Sequence, residues 1–583
     1  MFKLKNYLSK YKLYMILGPI FKALETASDI ITPYLMAMVI DVGIANKDRV
    51  YIYTMCAIIC GLNLLSFCFT VICQKCSSLA QMGICKDIRH DCFAHINTLS
   101  HAELDKFSTV TLTNRLVHDV DQIGTAVGMT IRNVARAPFL VIGSLIMVCL
   151  INVKLALVFL IMSPVILLIV LLIMKKNNPR YEELKVKLDN VTNVARDNLD
   201  SVRVVRAFNK QAYETKRFNQ TNKDFTKTNM QIAKAAALLQ PLIVLVVNFS
   251  VIAIIWFGGL EVRAGEITTG NLLAFINYLA TISSALVIIA RLIIVYTRTG
   301  ASKKRIAEVF ATKNTIFDAK NPSPLTYETA EGKIEFKNVN FSYNSVKNVV
   351  NGLSITVGAG QILGIIGGTG SGKSSIVNLI PRFYDVTAGE VLIDDVNVKK
   401  IKLEELRKIV GIVPQNPVLF EGTLRENMQW RKGDATDEEI IKALKIAQAY
   451  DFVSELPDFL DHKVLRGGSN FSGGQRQRLT IARALVGNPK IIILDDSSSA
   501  LDFATDAALR KAISTSLYDS TVVLVSQRAT ALMNADAIIV LDNGNIEGIG
   551  NHEKLLKSCQ VYQEIYYSQN PEEKPEVIVG GKK

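Results

Sequence analysis

Six apolar stretches, each close to the length of a membrane crossing, lie before residue 300. Few features restrict a fold more. Inside a bilayer every backbone N–H and C=O must be satisfied within the segment, so a span is a helix of about 20 apolar residues. The stretches run roughly 14–42, 50–73, 137–152, 155–174, 237–259 and 272–296. The third is short, and Asn152-Val153-Lys154 predicts a tight turn into the fourth. Six spans put both ends of this half on the same side. Lysine and arginine choose that side. Lys3, Lys5, Lys10 and Lys12 precede span one, and Lys75, Lys86 and Arg89 follow span two. Lys175 and Lys176 close span four, and Arg298, Lys303, Lys304 and Arg305 follow span six. The connections after spans one, three and five are short and carry fewer basic residues, so both termini are expected in the cytoplasm. This bias accounts for the net charge of +13 in 583 residues, and nucleic acid is not needed as a partner. The first apolar stretch is too long for a cleavable signal peptide and has no clear small-residue cleavage site.

Within this half some polar residues stand out. The connections 76–136 and 176–236 are long and polar and predict helical extensions beyond the bilayer. Lys22, Glu25 and Asp29 are spaced i, i+3, i+7 and share one helix face. Charges inside a span mark a pathway or a pair. Lys22 and Glu25 read as a structural ion pair, whereas Asp29, nearer mid-membrane, is a candidate contact for a cationic substrate. Arg132 and Arg136 flank the start of span three and read as interfacial anchors. Seven of the nine cysteines lie in or just after span two. Cys73-x-x-Cys76 has a metal or redox spacing, but with no second pair and no nearby histidine it reads as membrane core. The six histidines form no ligand cluster.

The second half carries the chemistry. Gly367-Gly368-Thr369-Gly370-Ser371-Gly372-Lys373-Ser374 fits the phosphate loop G-x-x-x-x-G-K-S/T. Its glycines let backbone N–H groups close around phosphate oxygens, Lys373 offers a cation, and Ser374 offers a hydroxyl to Mg²⁺. The apolar run 361–366 predicts a strand before the loop, and 374–379 a helix after it. A glycine-rich turn is the bland alternative, and this strand–loop–helix context disfavours it. Lys490 to Leu494 predicts a buried strand ending in Asp495, where a carboxylate holds Mg²⁺ in such folds. Ser472-Gly473-Gly474-Gln475 opens a second helix whose N-terminus suits an anion. One nucleotide rarely needs two cradles, so this one reads as serving a nucleotide held by another subunit.

The series phosphate loop, Gln415, Ser472-Gly473-Gly474-Gln475, Asp495, then Ser499-Ala500-Leu501-Asp502 resembles the nucleotide-binding domain of an ATP-binding-cassette (ABC) transporter over residues 334 to about 568. The resemblance implies that Tyr343 stacks on adenine and that Gln415 senses the γ-phosphate and joins Ser374 and Asp495 around Mg²⁺. It implies that Asp502 sits in a loop crossing a dimer interface. With it, Asp197-Asn198-Leu199, the stretch Val202 to Phe208, and Tyr213 to Phe218 look like the cytoplasmic segments of the exporter subfamily.

The pattern breaks in four places. The glutamate that usually polarises the attacking water is Asp496, one methylene shorter, and the switch histidine is Gln527, which cannot become cationic. A base must lie within about 2.6–3.2 Å of its proton, and losing one costs roughly 10²–10⁴-fold. Leu465-Arg466-Gly467-Gly468 replaces an acidic-basic-glycine run, and Phe471 stands where leucine is usual. The signature Ser472 to Gln475 is intact.

The expected fold is multidomain: a six-helix transmembrane bundle of ABC exporter type (1–310), a linker (311–333), an α/β P-loop ATPase domain (334–568) and a disordered tail (569–583). The resemblance implies ATP and Mg²⁺ as cofactors and a bacterial plasma membrane. It implies a second, non-identical half-transporter with a complete catalytic site as partner, and outward movement of hydrophobic or amphipathic small molecules. An importer or lipid translocator of the same fold, and a low-turnover nucleotide-gated regulator, remain open.

Overall fold

The computed structural model describes residues 3–343, 347–497, 500–517 and 519–574. Ser499 and tail residues 575–583 lie outside that set. The chain divides into two compact units, Met1–Asn97 with Ser108–Thr312, and Thr98–Phe107 with Lys313–Lys583.

Among the described residues the first unit contains six helices long and apolar enough to cross a membrane: Lys12–Ile44, Arg49–Thr98, Thr109–Ile151, Val153–Asp200, Gln211–Arg263 and Thr269–Ala311. They run from 33 to 53 residues. At 1.5 Å per residue the longest reach about 75–80 Å against a core of about 30 Å, so the polar connections are helical extensions. The turn foreseen at 152 is present. Asn152 is extended (φ −159°, ψ 117°), and its side-chain oxygen accepts from the Lys154 and Leu155 N–H groups, capping the next helix. At the other helix pair Thr268 caps Thr269–Ala311 by accepting from Asn271 N. The third helix is not regular: π-helical turns occupy Arg115–Asp119 and Thr130–Val134. Phe159, Phe275 and Tyr278 are buried in the core of this unit, and the Tyr278 hydroxyl donates to the Ile30 carbonyl at 2.9 Å. All nine cysteines are free thiols.

The second unit is built on a six-stranded sheet. Its order is Asn545–Gly550, Ala537–Asp542, Ile362–Gly367, Thr521–Val525, Ile491–Asp495 and Val410–Val413. All neighbours are parallel except the first pair. Parallel strands covered on both faces read as continuous apolar runs, and Ile491 to Leu494 shows why. Ile492 and Leu494 pack into one core with Leu479 and Tyr562, whereas Ile491 and Ile493 pack into the other with Phe336 and Ile376. A four-stranded sheet headed by Ile334–Phe341 covers the second core. The helix Gln560–Gln569 and a 3₁₀ turn at Pro571–Glu573 extend ordered structure into the expected tail, and the Asn570 amide donates to the Tyr566 carbonyl.

Residues 98–107, which the sequence groups with the membrane half, belong to this second unit. Their short helix His101–Leu104 stacks the His101 ring on Phe383 at 4.4 Å, and the Tyr384 hydroxyl donates to Asp105 at 2.6 Å. Glu103 accepts from Thr315, and Asn314 accepts from Ser100 N. Burial pulls His101 below the ordinary histidine value, and the Arg407 guanidinium adds to the effect while Asp105 opposes it.

Candidate functional site

Four neighbouring parallel strands end at the same edge, and the loops that follow them make the site. Gly367 ends one strand and begins the phosphate loop. Asp495 ends another and leads to Asp496. The strand between them ends at Val525, two residues before Gln527, and the fourth ends at Val413, two before Gln415. Ligands bind at the carboxyl ends of such sheets because the loops there converge on one side.

The loop is shaped by its glycines. Gly372 has φ +102°, and a Cβ on it would meet the Val349 carbonyl at 2.7 Å. Gly368 and Gly370 leave open space where a Cβ would stand. Thr369 and Gly370 border the resulting cavity. Ser371 Oγ is buried with no hydrogen-bond partner among the described residues. Lys373 opens the helix Lys373–Leu379, and its ammonium donates to the Gly367 and Gly368 carbonyls at 2.8 and 2.6 Å. Burial pulls that ammonium below the ordinary lysine value, against the opposing pull of Asp496 and Asp495. An open cradle, an unpartnered buried hydroxyl and a desolvated lysine fit a bound polyphosphate.

Opposite the loop, Ser374 Oγ donates to Asp495 Oδ1 at 3.1 Å. Burial pushes the Asp495 carboxyl up, Asp496 adds to that, and the Ser374 hydrogen bond counters it. A divalent cation between Ser374 and Asp495 would relieve this desolvation, so the pair suits a hard metal. Asp496 Oδ2 accepts from both Gln415 Nε2 and Gln527 Nε2, each at 3.3 Å. Its φ is +48°, in the left-handed region where aspartate is enriched among non-glycine residues. Two of the positions that depart from the family pattern, Asp496 and Gln527, are therefore joined to one another.

Tyr343 lines the same cavity of about 310 Å³. Its hydroxyl shares a hydrogen bond with Ser375 Oγ at 2.9 Å, and its ring stands edge-on to Phe341 and Tyr384. The sequence reading missed Val349 and Ser375 in the lining and Tyr384 behind it. Only Ser375, next to Ser374 in the phosphate motif, carried a local signal.

Ser472 to Gln475 lie elsewhere. Ser472 is an exposed N-cap on the helix Gly473–Leu485, its Oγ accepting from Gln475 N while Gln475 Oε1 accepts from Ser472 N. This reciprocal box fixes the helix end. Phe471 is buried against Phe452 and His462, which explains an aromatic at that position. In the variant run before it, Gly467 and Gly468 are left-handed at φ +66° and +68°. Asp502 N-caps Phe503–Ser516, and the Thr505 N–H and hydroxyl hold its carboxyl below the usual range.

Comparison with known proteins fits this geometry. Residues 15–286 match the ABC transporter transmembrane region and residues 350–499 the ABC transporter domain. The uncharacterized ABC transporter ATP-binding protein YfiB of Bacillus subtilis is 33% identical over 568 residues, covering 97% of this chain and 98% of the relative. The chain belongs to the ABC transporter family. An ATP-dependent lipid A-core flippase of Desulfotalea psychrophila is 31% identical over 92% of this chain and 93% of its own. A bacterial Atm1-family ABC exporter solved with ATP bound superposes with a TM-score of 0.77 at 23% identity, over 97% of this chain and 99% of that one. This ABC transporter chain thus has the exporter half-transporter architecture, with the membrane region and ATPase domain on one polypeptide.

In the membrane unit, Lys22 Nζ donates to both Glu25 oxygens at 2.6 Å, the predicted pair. Asp29 accepts from Arg136 at 3.4 Å, so the cation that it meets is the chain's own. Arg136 is thus part of a charged cluster rather than a lone interfacial anchor, and Arg132 donates to Gln74 at 3.3 Å.

Proposed function

We propose that this chain is one half of a heterodimeric, ATP-driven exporter of hydrophobic or amphipathic compounds. It sits in a bacterial plasma membrane with both termini and the ATPase domain in the cytoplasm. The basic residues flanking the spans support that orientation. The likeness to lipid A-core flippases favours amphipathic cargo.

In this reading Tyr343 stacks on adenine. The backbone of Gly367 to Gly372 and Lys373 hold the phosphates, and Ser374, Gln415 and Asp495 hold Mg²⁺. The site binds ATP and turns it over slowly. The observation that carries this is the pair of amides on Asp496. Gln415 and Gln527 both donate to one carboxylate oxygen. Neither amide can act as a base or relay a proton, and the acid is one methylene shorter than the usual glutamate. Ser472, Gly473 and Asp502 are exposed, Gly474 and Gln475 are half-buried, and this preformed helix end completes the nucleotide site of the second half-transporter. That partner supplies the working base.

The test is the purified full chain in lipid. It should bind ATP, while phosphate release stays well below the about 1–10³ s⁻¹ of typical enzymes. Ordinary turnover by the chain alone would contradict a degenerate site. ATP binding without turnover even beside its native partner would favour the regulator instead.

A further inference from the structure

The charged cluster of the membrane unit is unevenly paired. Lys22 and Glu25 are both buried and neutralise one another at 2.6 Å. The second pair is looser and more open: Asp29 and Arg136 meet at 3.4 Å with side chains 35% and 32% exposed. Arg136 lies 3.8 Å from Glu25, and its Nε is buried with no hydrogen-bond partner among the described residues. One helical turn before it, Arg132 has the neutral Gln74 amide as its only side-chain hydrogen-bond partner among the described residues. Three cations thus stand against two carboxylates, and the surplus lies on the two arginines.

Depth adds to the argument. Asp29 is fifteen residues from Ile44, the end of its span, and Arg136 is sixteen from the Asn152 turn. At 1.5 Å per residue both lie about 22–24 Å along a core of about 30 Å. With the orientation proposed above, that is the half of the bilayer nearest the cytoplasm. Charge at such depth is costly and marks a site or a pair, and here a pair exists but leaves guanidinium donors over. Guanidinium is a fork suited to phosphate, and its hydrogen bonds to anions are among the stronger ones. Thr130, on the π-helical turn Thr130–Val134 that carries Arg132, adds a polar contact by hydrogen-bonding Tyr296 of the helix Thr269–Ala311 at 2.5 Å.

We propose that Arg132 and Arg136 form a binding site for the phosphate head group of an anionic amphiphile in the inner leaflet, with Asp29 as an internal competitor that occupies Arg136 until the ligand displaces it. The proposal rests on the exporter reading for the side of the membrane only. Its test needs no ATP hydrolysis, so it can fail while the degenerate-site reading stands.

The measurement is equilibrium binding to the nucleotide-free full chain in detergent. The probes are dioctanoyl phosphatidic acid, dioctanoyl phosphatidylcholine, inorganic phosphate and tetraphenylphosphonium. Phosphatidic acid should bind at least about tenfold more tightly than phosphatidylcholine, the equivalent of one charge-assisted hydrogen bond. Arg132→Gln should cost about tenfold by the same reasoning. Because Arg136→Gln alone would strand Asp29, the pair is removed together, and Asp29→Asn with Arg136→Gln should also weaken binding. Asp29→Asn alone should tighten it. Equal affinity for the two lipids, no effect of Arg132→Gln, or weaker binding after Asp29→Asn would overturn the proposal. Tighter binding of tetraphenylphosphonium would assign Asp29 to a cation instead. Inorganic phosphate binding as tightly as the lipid would make this a free-phosphate site and overturn the amphiphile.

Discussion

The cavity at the phosphate loop and the exposed helix end at Ser472, the two anion cradles of the proposed function, are finished in opposite ways. In the cavity, Ser371 apart, the polar side chains spend their hydrogen bonds within the site. Lys373 donates to loop carbonyls, and Gln415 and Gln527 both donate to Asp496. At Ser472 the side chains satisfy only the helix end itself through the capping box, and the residue remains exposed. A self-satisfied cavity must give up contacts to bind and has little left over for chemistry. A rigid, exposed helix end costs nothing to reorganise, and in the proposed function it receives a phosphate brought by another chain. The comparison separates holding a nucleotide from completing a site for one.

The largest expected effect that sharpens the contrast falls on binding. Lys373→Ala should weaken ATP binding to the isolated chain by about tenfold to a hundredfold, since a charge-assisted contact contributes about 1.5–3 kcal/mol. It should leave Ser472 and its helix end intact by amide exchange. A smaller effect follows from the paired departures. Asp496→Glu with Gln527→His should raise steady-state ATPase activity of the complex with its partner at most about twofold, because a second working site only doubles turnover when sites act independently. Glutamate at 496 must also take up the left-handed φ of +48°, which limits the gain.

Much of this was legible in the sequence, for physical reasons that differ by element. The six spans follow from apolar length. The phosphate loop, Asp495 and Ser472 follow because their chemistry fixes residue type and spacing over a few positions. The Asn152 turn was readable because an asparagine cap acts within three residues. The contacts missed are long-range. Arg136 and Asp29 are separated by 107 positions, so an apparent interfacial anchor is half of an ion pair. Tyr384 and Asp105 are 279 positions apart, and no local pattern assigns residues 98–107 to the ATPase unit. The π-helical turns at Arg115–Asp119 and Thr130–Val134 leave no periodic signal over five residues.

The smallest predicted effect concerns that docked segment. Burial and Arg407 hold His101 below its ordinary value, so the docked segment binds fewer protons than the free one. Its stability is fully present above about pH 6.5 and falls as pH drops through that value. Amide exchange of residues 98–107, corrected for intrinsic rates, should rise slightly between about pH 7.5 and about pH 5.5. His101→Gln should flatten the response.

The central claim is the division of labour between cavity and signature. Its most direct test is steady-state ATPase activity of the chain isolated with its native partner, comparing Ser472→Arg with Asp496→Ala. Ser472→Arg should nearly abolish activity by removing the hydroxyl and blocking closure over the partner's nucleotide. Asp496→Ala should cost far less than the roughly 10²–10⁴-fold that follows loss of a working base. Equal damage from the two substitutions would make Asp496 a working base and contradict the account.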